Sequence, residues 1–370
     1  MTLRVYVRPV AFVPGPQTEH GNAVRLAGGL TYASRFAVIL VDGGRVADRW
    51  IAAPDAMAQR LAELPEAVCA EAQEQWANLA RARPPLALGG RSVRLDQPQV
   101  MGILNMTPDS FSDGGEWLDR PEARRGHAAA MLESGAAIVD IGGESTRPGA
   151  AATWEGEEIR RVVPAVEECA AMGAAVSIDT RRAGVMEAAL RAGATLVNDV
   201  SAGRFDPRSL DLVAASGAAV VLMHAPGAGD DPHAGAAYGH VVFDVFEFLR
   251  ERRDAALAAG IPMERIVLDP GIGFGKSVTE NLALLNALPL FHALGCPLLV
   301  GASRKRLVGA LSREAPADGR LGGSLALALR AMEAGVQLHR VHDVAESVQA
   351  RDVWRGLRDA ALTDFADLPG

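Results

Sequence analysis

Eight short apolar runs, rich in β-branched residues, alternate with longer segments of helical period from about residue 100 to the C-terminus. This alternation is typical of repeated strand–helix units that build a parallel sheet covered by helices. The apolar character of the runs is continuous, so both faces of each strand should be buried. The runs are 100–106, 137–143, 175–180, 195–200, 218–224, 265–271, 297–303 and 337–343.

The helical candidates between these runs include 155–172, 183–192, 238–259 and 324–334, and several of them end in Gly. Eight buried strands with intervening helices suit a closed barrel better than an open doubly wound sheet, which remains the alternative. The sequence therefore predicts an α/β fold in which residues 97–370 form a (β/α)₈ TIM barrel.

Residues 1–96 have a different pattern. The segments 4–12 and 36–51 resemble strands, and the Asp-Gly-Gly turn at 42–44 within the second predicts a β-hairpin. Residues 56–82 have the pattern of one amphipathic helix. We expect a small N-terminal α+β extension, joined through 84–90, whose role is open.

Composition excludes several classes of function. The 370-residue chain has a formal charge of −8, which gives no general attraction to nucleic acid or an anionic membrane. Neither a long apolar stretch nor a signal peptide is evident, so we expect a soluble cytoplasmic protein. Cys69, Cys169 and Cys296 lack metal-ligand spacing and are expected to be reduced thiols.

Lysine is almost absent from the chain. Of 37 basic residues only Lys276 and Lys305 are lysines, and the other 35 are arginines. A compact ammonium and a planar guanidinium are not interchangeable in a tight site. Positions 276 and 305 are therefore candidates for sites that need a compact ammonium.

Polar residues recur where the eight runs end. A single Asp or Asn there is commonly a helix cap, but such residues follow almost every run. Since barrel strands end at one mouth, we expect these side chains to lie together. They are Asn105, Asp179, Asn198, Asp199, Met223, His224, Asp269, Ser303, Arg304, Lys305, Arg340 and His342.

The chemistry of this set fits a particular kind of ligand. Asp179, Asn198 and Asp269 offer acceptors and an amide donor for a flat heterocycle such as a 2-amino-4-oxopterin. Asn105 is a neutral oxygen ligand of the kind that completes a Mg²⁺ shell made of water and phosphate oxygens. Four cations suit a pyrophosphate that must bind and then leave: Arg147, Lys305, Arg340 and His342.

Seven motifs in register give the chain a resemblance to a known family. They are MGILNMTPDSFSDGG (101–115), DIGGESTRPG (140–149), SIDT (177–180), NDVSAG (198–203), LDPGIGFGK (268–276), GASRK (301–305) and RVHD (340–343). In order and spacing they resemble the dihydropteroate synthase family over about residues 97–360. That resemblance implies a transferase of folate biosynthesis.

The resemblance also implies roles for individual residues. Asn105 would coordinate Mg²⁺, and the pyrophosphate would be held by Asn105, Arg340 and His342. The implied pterin-binding residues are Asp179, Asn198, Asp269 and Lys305, with Met223 and Phe274 as walls. The implied p-aminobenzoate site is Thr146, Arg147, Pro148, Gly273, Phe274 and Ser303, and Gly301 belongs to the substrate-binding set. The catalytic set is Asp179, Asp269, Lys305, Arg340 and His342.

Further implications concern the loops and partners. Homodimerisation is implied, and sulfonamides are expected inhibitors because the STRPGAA loop has no insertion. The first loop, 107–116, is expected to act as a lid. His224 fits a pocket residue or a satisfied strand-end histidine equally well.

Several motif-like residues are expected to have no catalytic role. His127, His233, His240 and His292 are expected at the surface, and Lys276 is not included among the catalytic residues. The segment 271–277 is not a P-loop, because Pro270 stands where that motif needs Gly.

Two other functions are compatible with a pterin-binding barrel. A corrinoid-type pterin-dependent methyltransferase has no pyrophosphate to expel, so it does not need the motifs 303–305 and 340–342. In a non-catalytic pterin-binding protein, some functional residues at the polar strand ends should have been replaced, yet all of these positions hold functional residue types.

Overall fold

The computed structural model describes residues 3–17, 21–107, 120–146, 149–150 and 152–363. The chain begins with a four-stranded antiparallel sheet and two helices. In the sheet, β3 pairs with β1, β2 and β4. These elements are β1 (Arg4–Val13), β2 (Val24–Arg25), β3 (Tyr32–Asp42), β4 (Arg45–Ala52), α1 (Pro54–Ala62) and α2 (Glu66–Ala80).

The predicted hairpin is confirmed, and the single predicted helix is wrong. Asp42 pairs with Arg45 across Gly43 and Gly44, whose φ angles of 57° and 78° fit the tight turns favoured in hairpins. The segment expected to be one helix is two, separated before Pro65. Proline has no N–H to donate, so Pro65 stands at the start of α2 instead of inside a longer helix.

The second part of the chain is a parallel sheet with a helix or helix pair after each strand. A short antiparallel hairpin, β5 (Leu86–Leu88) and β6 (Arg91–Val93), precedes it. The strands are β7 (Gln99–Asn105), β8 (Ile138–Gly142), β9 (Val176–Asp179), β10 (Leu196–Asp199), β11 (Ala219–Met223), β12 (Ile266–Asp269), β13 (Leu299–Val300) and β14 (Leu338–Val341). The helices are α3 (Pro121–Glu133), α4 (Glu155–Ala171), α5 (Ala183–Ala192), α6 (Ser209–Ser216), α7 (Val241–Ala258), α8 (Val278–Phe291), α9 (Arg306–Leu311), α10 (Leu321–Glu333) and α11 (Val344–Ala360).

The eight strands form a closed barrel. Their order is β12-β11-β10-β9-β8-β7-β14-β13, and a parallel bridge between Leu268 and Leu298 joins the two ends of this series. The Leu268 N–H also donates to the Pro297 carbonyl at 2.9 Å. The TIM-barrel prediction is confirmed, and the open sheet is excluded. All eight predicted runs contain a strand, although β13 is much shorter than its apolar run.

The hairpin β5–β6 fills the N-terminal end of the barrel. Leu86, Leu88, Val93 and Leu95 are buried among strand side chains, including Met101. Apolar side chains from before residue 97 therefore contribute to the barrel interior. The division of the chain at residue 96 stays a prediction.

The N-terminal sheet packs on the outside of the barrel. Tyr6 stacks on Phe243 with ring centroids 4.3 Å apart, meets Phe246 edge-on, and donates its hydroxyl to Glu247 at 3.0 Å. Burial is the main cause that raises the pKa of Tyr6, and Glu247 adds to it. Aromatic contacts and a buried hydrogen bond therefore join the extension to α7.

Two of the four histidines expected at the surface are not there. His292 is fully buried, and its Nε2 lies 2.9 Å from the Ala334 carbonyl. His233 lies near the barrel mouth and is described below. His240 is exposed, as expected. No helix in the described ranges combines the length and apolar character needed to cross a membrane.

Candidate active site

Polar side chains lie side by side at the C-terminal ends of neighbouring strands. In the parallel register, Asn105 of β7 lies beside Gly142, Gly142 beside Asp179, and Asp179 beside Asn198. Glycine at position 142 places no side chain between Asn105 and Asp179. Parallel pairing therefore brings Asn105, Asp179 and Asn198 to one level of the mouth, as the sequence predicts.

Arg340 connects two carboxylates across the mouth. Its Nε donates to Asp140 Oδ2 at 2.6 Å, and its Nη2 donates to Asp179 Oδ2 at 2.7 Å. Asn198 also donates to Asp140 Oδ2, at 3.2 Å. Asp140, Asp179, Asn198 and Arg340 thus form one hydrogen-bonded network across strands that are distant in sequence.

This network changes the protonation of its members. Burial raises the pKa of Asp179 to about 7; Arg340 opposes that change, and the nearby charge of Asp140 adds to it. Burial would lower the pKa of Arg340, but the two carboxylates outweigh it and raise that pKa. Arg340 therefore stays charged, while burial makes Asp179 easier to protonate than an exposed carboxylate.

Asp140 is a site residue that the prediction missed. It lies inside β8 and not at the strand end, so the rule of inspecting strand ends passes over it. The sequence does contain one signal for it, an aspartate within an apolar strand. A carboxylate is rarely buried without a partner, so such a residue indicates a polar contact inside the barrel.

A second part of the mouth centres on Asp269 and Lys305. Asp269 accepts the Gly271 N–H at 2.7 Å; burial raises its pKa to about 6, while this hydrogen bond and Lys305 oppose the change. Lys305 Nζ donates to the Ile272 carbonyl and lies 4.3 Å from the centroid of the Phe274 ring. Burial lowers the pKa of Lys305 to about 8, although Asp269 opposes it.

Gly273 fits closely against Lys305. Its φ is +87°, and a Cβ added there would lie 2.7 Å from Lys305 Cδ. The loop after β12 therefore needs glycine at this position, both for the backbone angle and for the space occupied by the lysine.

The seventh and eighth strand ends meet through Ser303 and His342. The His342 N–H donates to Ser303 Oγ at 3.2 Å, and His342 Nδ1 lies 3.1 Å from the same oxygen. Gly301 lies beside Arg340: a Cβ added there would be 3.6 Å from Arg340 Cβ, an ordinary van der Waals contact. Arg304 Nε donates to Asp343 at 3.1 Å, which gives Arg304 a structural ion pair.

An apolar wall completes this side of the mouth. Met223 is buried with Val200 and Ala225, and Phe274 packs against the same cluster. The implied role of Met223 and Phe274 as walls for a flat ring stays a prediction.

Lys276 and His224 form a buried pair beneath the loop after β12. Lys276 Nζ lies 2.9 Å from His224 Nδ1 and donates to the carbonyls of Gly271 and Phe274 at 2.8 and 3.0 Å. Burial lowers the pKa of Lys276 to about 7, and burial with Lys276 nearby lowers that of His224 to about 2. His224 is therefore a neutral, satisfied strand-end histidine, and Lys276 ties the loop.

His233, expected at the surface, instead contacts two loops of the mouth. Its ring stacks on Phe274 with a centroid separation of 5.1 Å and an interplanar angle of 10°. Its Nε2 lies 3.0 Å from the Thr146 carbonyl, and its Nδ1 accepts the Gly275 N–H at 3.1 Å. Sequence reasoning missed it because the loop containing it, 224–240, has no regular pattern.

A buried ion-pair network supports the loop after β8. Glu144 pairs with Arg181 at 3.1 Å and Arg182 at 2.8 Å, and Arg182 also binds Glu158 at 2.6 Å. Burial opposes ionisation of Glu144, but the two arginines outweigh it and lower its pKa. Thr146 follows this anchor. Arg147, Pro148 and most of the proposed first-loop lid lie outside the described residues.

The residues at the mouth offer few ligands for the implied Mg²⁺. The described residues contain no group of three or more His, Cys, Asp or Glu side chains that would hold a metal alone. Asn105, at the end of β7, offers one neutral oxygen. Such a donor set fits a Mg²⁺ ion that keeps its waters and arrives with a phosphate group, as Mg²⁺ commonly does.

Comparisons with known proteins agree with this geometry. The family described as pterin binding enzyme matches residues 101–342. A dihydropteroate synthase of Mycobacterium leprae is 49% identical over 261 residues, which cover 69% of this chain and 92% of that protein.

Solved structures give the same picture. Dihydropteroate synthase of Xanthomonas albilineans with 4-aminobenzoic acid is 45% identical, with a TM-score of 0.69, over 78% of this chain and all of that chain. The Yersinia pestis enzyme with a sulfonamide drug complex is 42% identical, also with a TM-score of 0.69, over 74% of this chain and 99% of that chain.

Proposed function

The chain belongs to the dihydropteroate synthase family, and from this premise we propose that it joins a dihydropterin to p-aminobenzoate at the barrel mouth. The substrates are 6-hydroxymethyl-7,8-dihydropterin pyrophosphate and p-aminobenzoate, and the products are 7,8-dihydropteroate and pyrophosphate. The chain is then a transferase of folate biosynthesis. The observation that carries the proposal is the convergence of Asp179, Asn198, Asp269, Lys305 and Arg340 on one mouth.

The pterin ring is assigned to the pocket between these residues. A 2-amino-4-oxopterin has adjacent N–H donors that a carboxylate accepts in pairs, and Asp269 is such an acceptor. The pKa of Asp269, about 6, keeps it ionised at neutral pH. Asp179 and Asn198 contact the other edge of the ring, Lys305 orients it, and Met223 and Phe274 form its apolar walls.

The pyrophosphate is assigned to the part of the mouth beside the pterin pocket, around Arg340, which also contacts Asp179. Arg340 and His342 follow β14, and Arg340 remains a cation under all ordinary conditions because its pKa is raised. Asn105 would hold Mg²⁺ there. When bound, the ion supplies positive charge that neutralises the diphosphate.

The p-aminobenzoate ring is assigned to the space between the loops after β8 and β12. Gly273, Phe274 and Ser303 lie on one side of this space. Thr146 belongs to the other side; Arg147 and Pro148, which the resemblance assigns to the same site, lie outside the described residues. The same site is proposed to bind sulfonamides, as the Y. pestis relative does.

The reaction breaks the bond between the pterin methylene carbon and the pyrophosphate oxygen. The amine nitrogen of p-aminobenzoate then forms a bond to that carbon and loses one proton, which the departing pyrophosphate accepts. No strong protein base is needed. Arg340 and His342 stabilise the departing diphosphate, Asp269 stabilises positive charge developing on the ring, and the closed walls exclude water.

This assignment is tested by measuring pyrophosphate release. Purified protein with Mg²⁺ and both substrates should release one pyrophosphate for each dihydropteroate formed. Omission of p-aminobenzoate should remove dihydropteroate formation. An Asp269→Asn variant should lose activity, whereas Asp211→Asn, at an exposed position of α6 to which no substrate role is assigned, should not. No product with the complete mixture would refute the proposal.

We further propose that the protein is cytoplasmic and that it forms the homodimer that the resemblance implies. Val353 and Leu357 support the dimer, since they lie one turn apart on α11 and are 63% and 68% exposed. Val353→Glu with Leu357→Glu should convert a dimer to a monomer in sedimentation or light scattering. A wild-type monomer at micromolar concentration would contradict the proposal.

A further inference from the structure

We propose that His233 is a positioning residue for p-aminobenzoate, because its neutral Nε2–H imidazole holds Phe274 and joins the loops on both sides of the amine site. The inference rests on the proposed function. It concerns a residue of the loop after β11, which the substrate assignments above do not include.

The first support is the position of His233 among three loops. Its ring lies parallel to Phe274, the apolar wall assigned to the substrate rings. Its two nitrogens contact the backbone of Thr146, after β8, and of Gly275, after β12. One side chain thus joins both loops assigned to the amine site.

The second support is the hydrogen bonding, which permits only one tautomer. The Gly275 N–H is a donor, so Nδ1 at 3.1 Å must accept and carry no proton. The Thr146 carbonyl is an acceptor, so Nε2 at 3.0 Å must carry the proton. A charged imidazolium would place two N–H groups against each other at Gly275. The link therefore requires the neutral ring.

The third support is that the loop that contains His233 makes further contacts with the loop after β12. The Tyr238 hydroxyl donates to the Gly275 carbonyl at 3.3 Å. Gly275 has φ +55°, and an added Cβ would collide with Pro226 and approach the His233 carbonyl at 3.0 Å. The loop bearing His233 is thus packed closely over Gly275.

Phe274 receives its orientation from two neighbours. His233 stacks on its ring, and Lys305 Nζ lies 4.3 Å from its centroid. Phe274 borders both substrates, but the Thr146 contact of His233 lies in a loop that is assigned to p-aminobenzoate alone. Loss of His233 should therefore weaken p-aminobenzoate binding more than pterin binding.

The kinetic experiment compares three substitutions that separate these contacts. His233→Phe keeps the stacking and loses both hydrogen bonds. His233→Gln keeps a donor near Nε2 and loses the stacking. His233→Ala loses the stacking and both hydrogen bonds. The full-length enzyme is assayed by pyrophosphate release, with each substrate varied while the other is saturating, and the exposed His240→Asn serves as control.

We expect His233→Ala to raise the KM for p-aminobenzoate roughly 10-fold or more, since two hydrogen bonds and a ring contact are lost. The kcat and the KM for the pterin substrate should change less than about 3-fold, and Phe and Gln should recover part of the loss. Equal effects on both substrates, or no effect, would overturn the proposal. His240→Asn should match the wild type.

A second measurement does not depend on turnover, so it separates failure of this inference from failure of the proposed function. Long-range ¹H–¹⁵N spectra distinguish protonated from unprotonated imidazole nitrogens, and the signal that disappears in His233→Gln identifies the residue. A protonated Nε2 and an unprotonated Nδ1 at neutral pH are expected. The opposite tautomer, or an imidazolium, would overturn the inference.

Discussion

Replacement of Lys305 by Met should raise the free energy of unfolding of the protein and lower its catalytic activity. Lys305 is one of two lysines in the chain, and burial lowers its pKa from 10.5 to about 8. The folded protein therefore disfavours the charged ammonium, even with Asp269 nearby. Lys305→Met removes that charge while keeping much of the side-chain volume against Gly273 and Phe274.

The magnitude follows from the change in pKa. A change from 10.5 to about 8 corresponds to a cost of about 3 kcal/mol in the free energy of unfolding while the lysine is charged in both states. The Lys305→Met variant should therefore be up to about 3 kcal/mol more stable than the wild type below pH 8. Between pH 8 and 10.5 the unfolded chain binds more protons than the folded one, so the free energy of unfolding of the wild type rises with pH. The difference in stability between the wild type and Lys305→Met therefore disappears by pH 10.5.

The assay pairs denaturant unfolding at about pH 6.5 and pH 10.5 with pyrophosphate release. Activity of Lys305→Met should fall roughly 100-fold or more, because a fixed cation at the pterin is lost. Lys305→Arg should also be impaired, since a larger planar guanidinium would replace a compact ammonium whose stem packs against Gly273. Wild-type turnover in either variant, or a loss of several kcal/mol of stability in Lys305→Met at pH 6.5, would refute the reasoning.

Three further changes test other parts of the account. Arg340→Met leaves two buried carboxylates without their shared cation, so unfolding measurements should show a loss of about 3 kcal/mol and turnover should be abolished; unchanged stability would contradict this. Gly273→Ala should lower kcat/KM at least roughly tenfold through its positive φ and the contact with Lys305, and wild-type kinetics would show that the loop tolerates a side chain. Deletion of 1–83 should lower the melting temperature while leaving activity. Deletion of 1–95 also removes the hairpin that fills the barrel, so it should prevent folding. Circular dichroism measures both, and equal melting behaviour of the two deletion variants would contradict this difference.

The barrel was predictable because its physical signal is local and repeated. Buried parallel strands need continuous apolar runs, and these runs alternate with helical segments along the chain. The closing contact between Leu268 and Leu298 has no local signal, but a series of eight such units leaves few other arrangements. The helix break at Pro65 was available in the sequence and was missed, because the apolar spacing continues across it.

The site was predictable where its residues stand at strand ends. Asp179, Asn198 and Asp269 meet for that reason. Asp140 and His233 were missed for different reasons: Asp140 acts from within a strand, and the position of His233 depends on the path of an irregular loop. Pairing across the barrel, such as that between Arg340 and Asp140, is a tertiary property that no spacing rule contains.

The most direct test is a crystal structure of the protein with a non-hydrolysable pterin pyrophosphate analogue, p-aminobenzoate and Mg²⁺. The account predicts the pterin ring against Asp179, Asn198, Asp269 and Lys305, the diphosphate at Arg340 and His342, and Mg²⁺ on Asn105. A pterin bound away from this mouth, or in the mouth with its diphosphate directed away from Arg340, would contradict it.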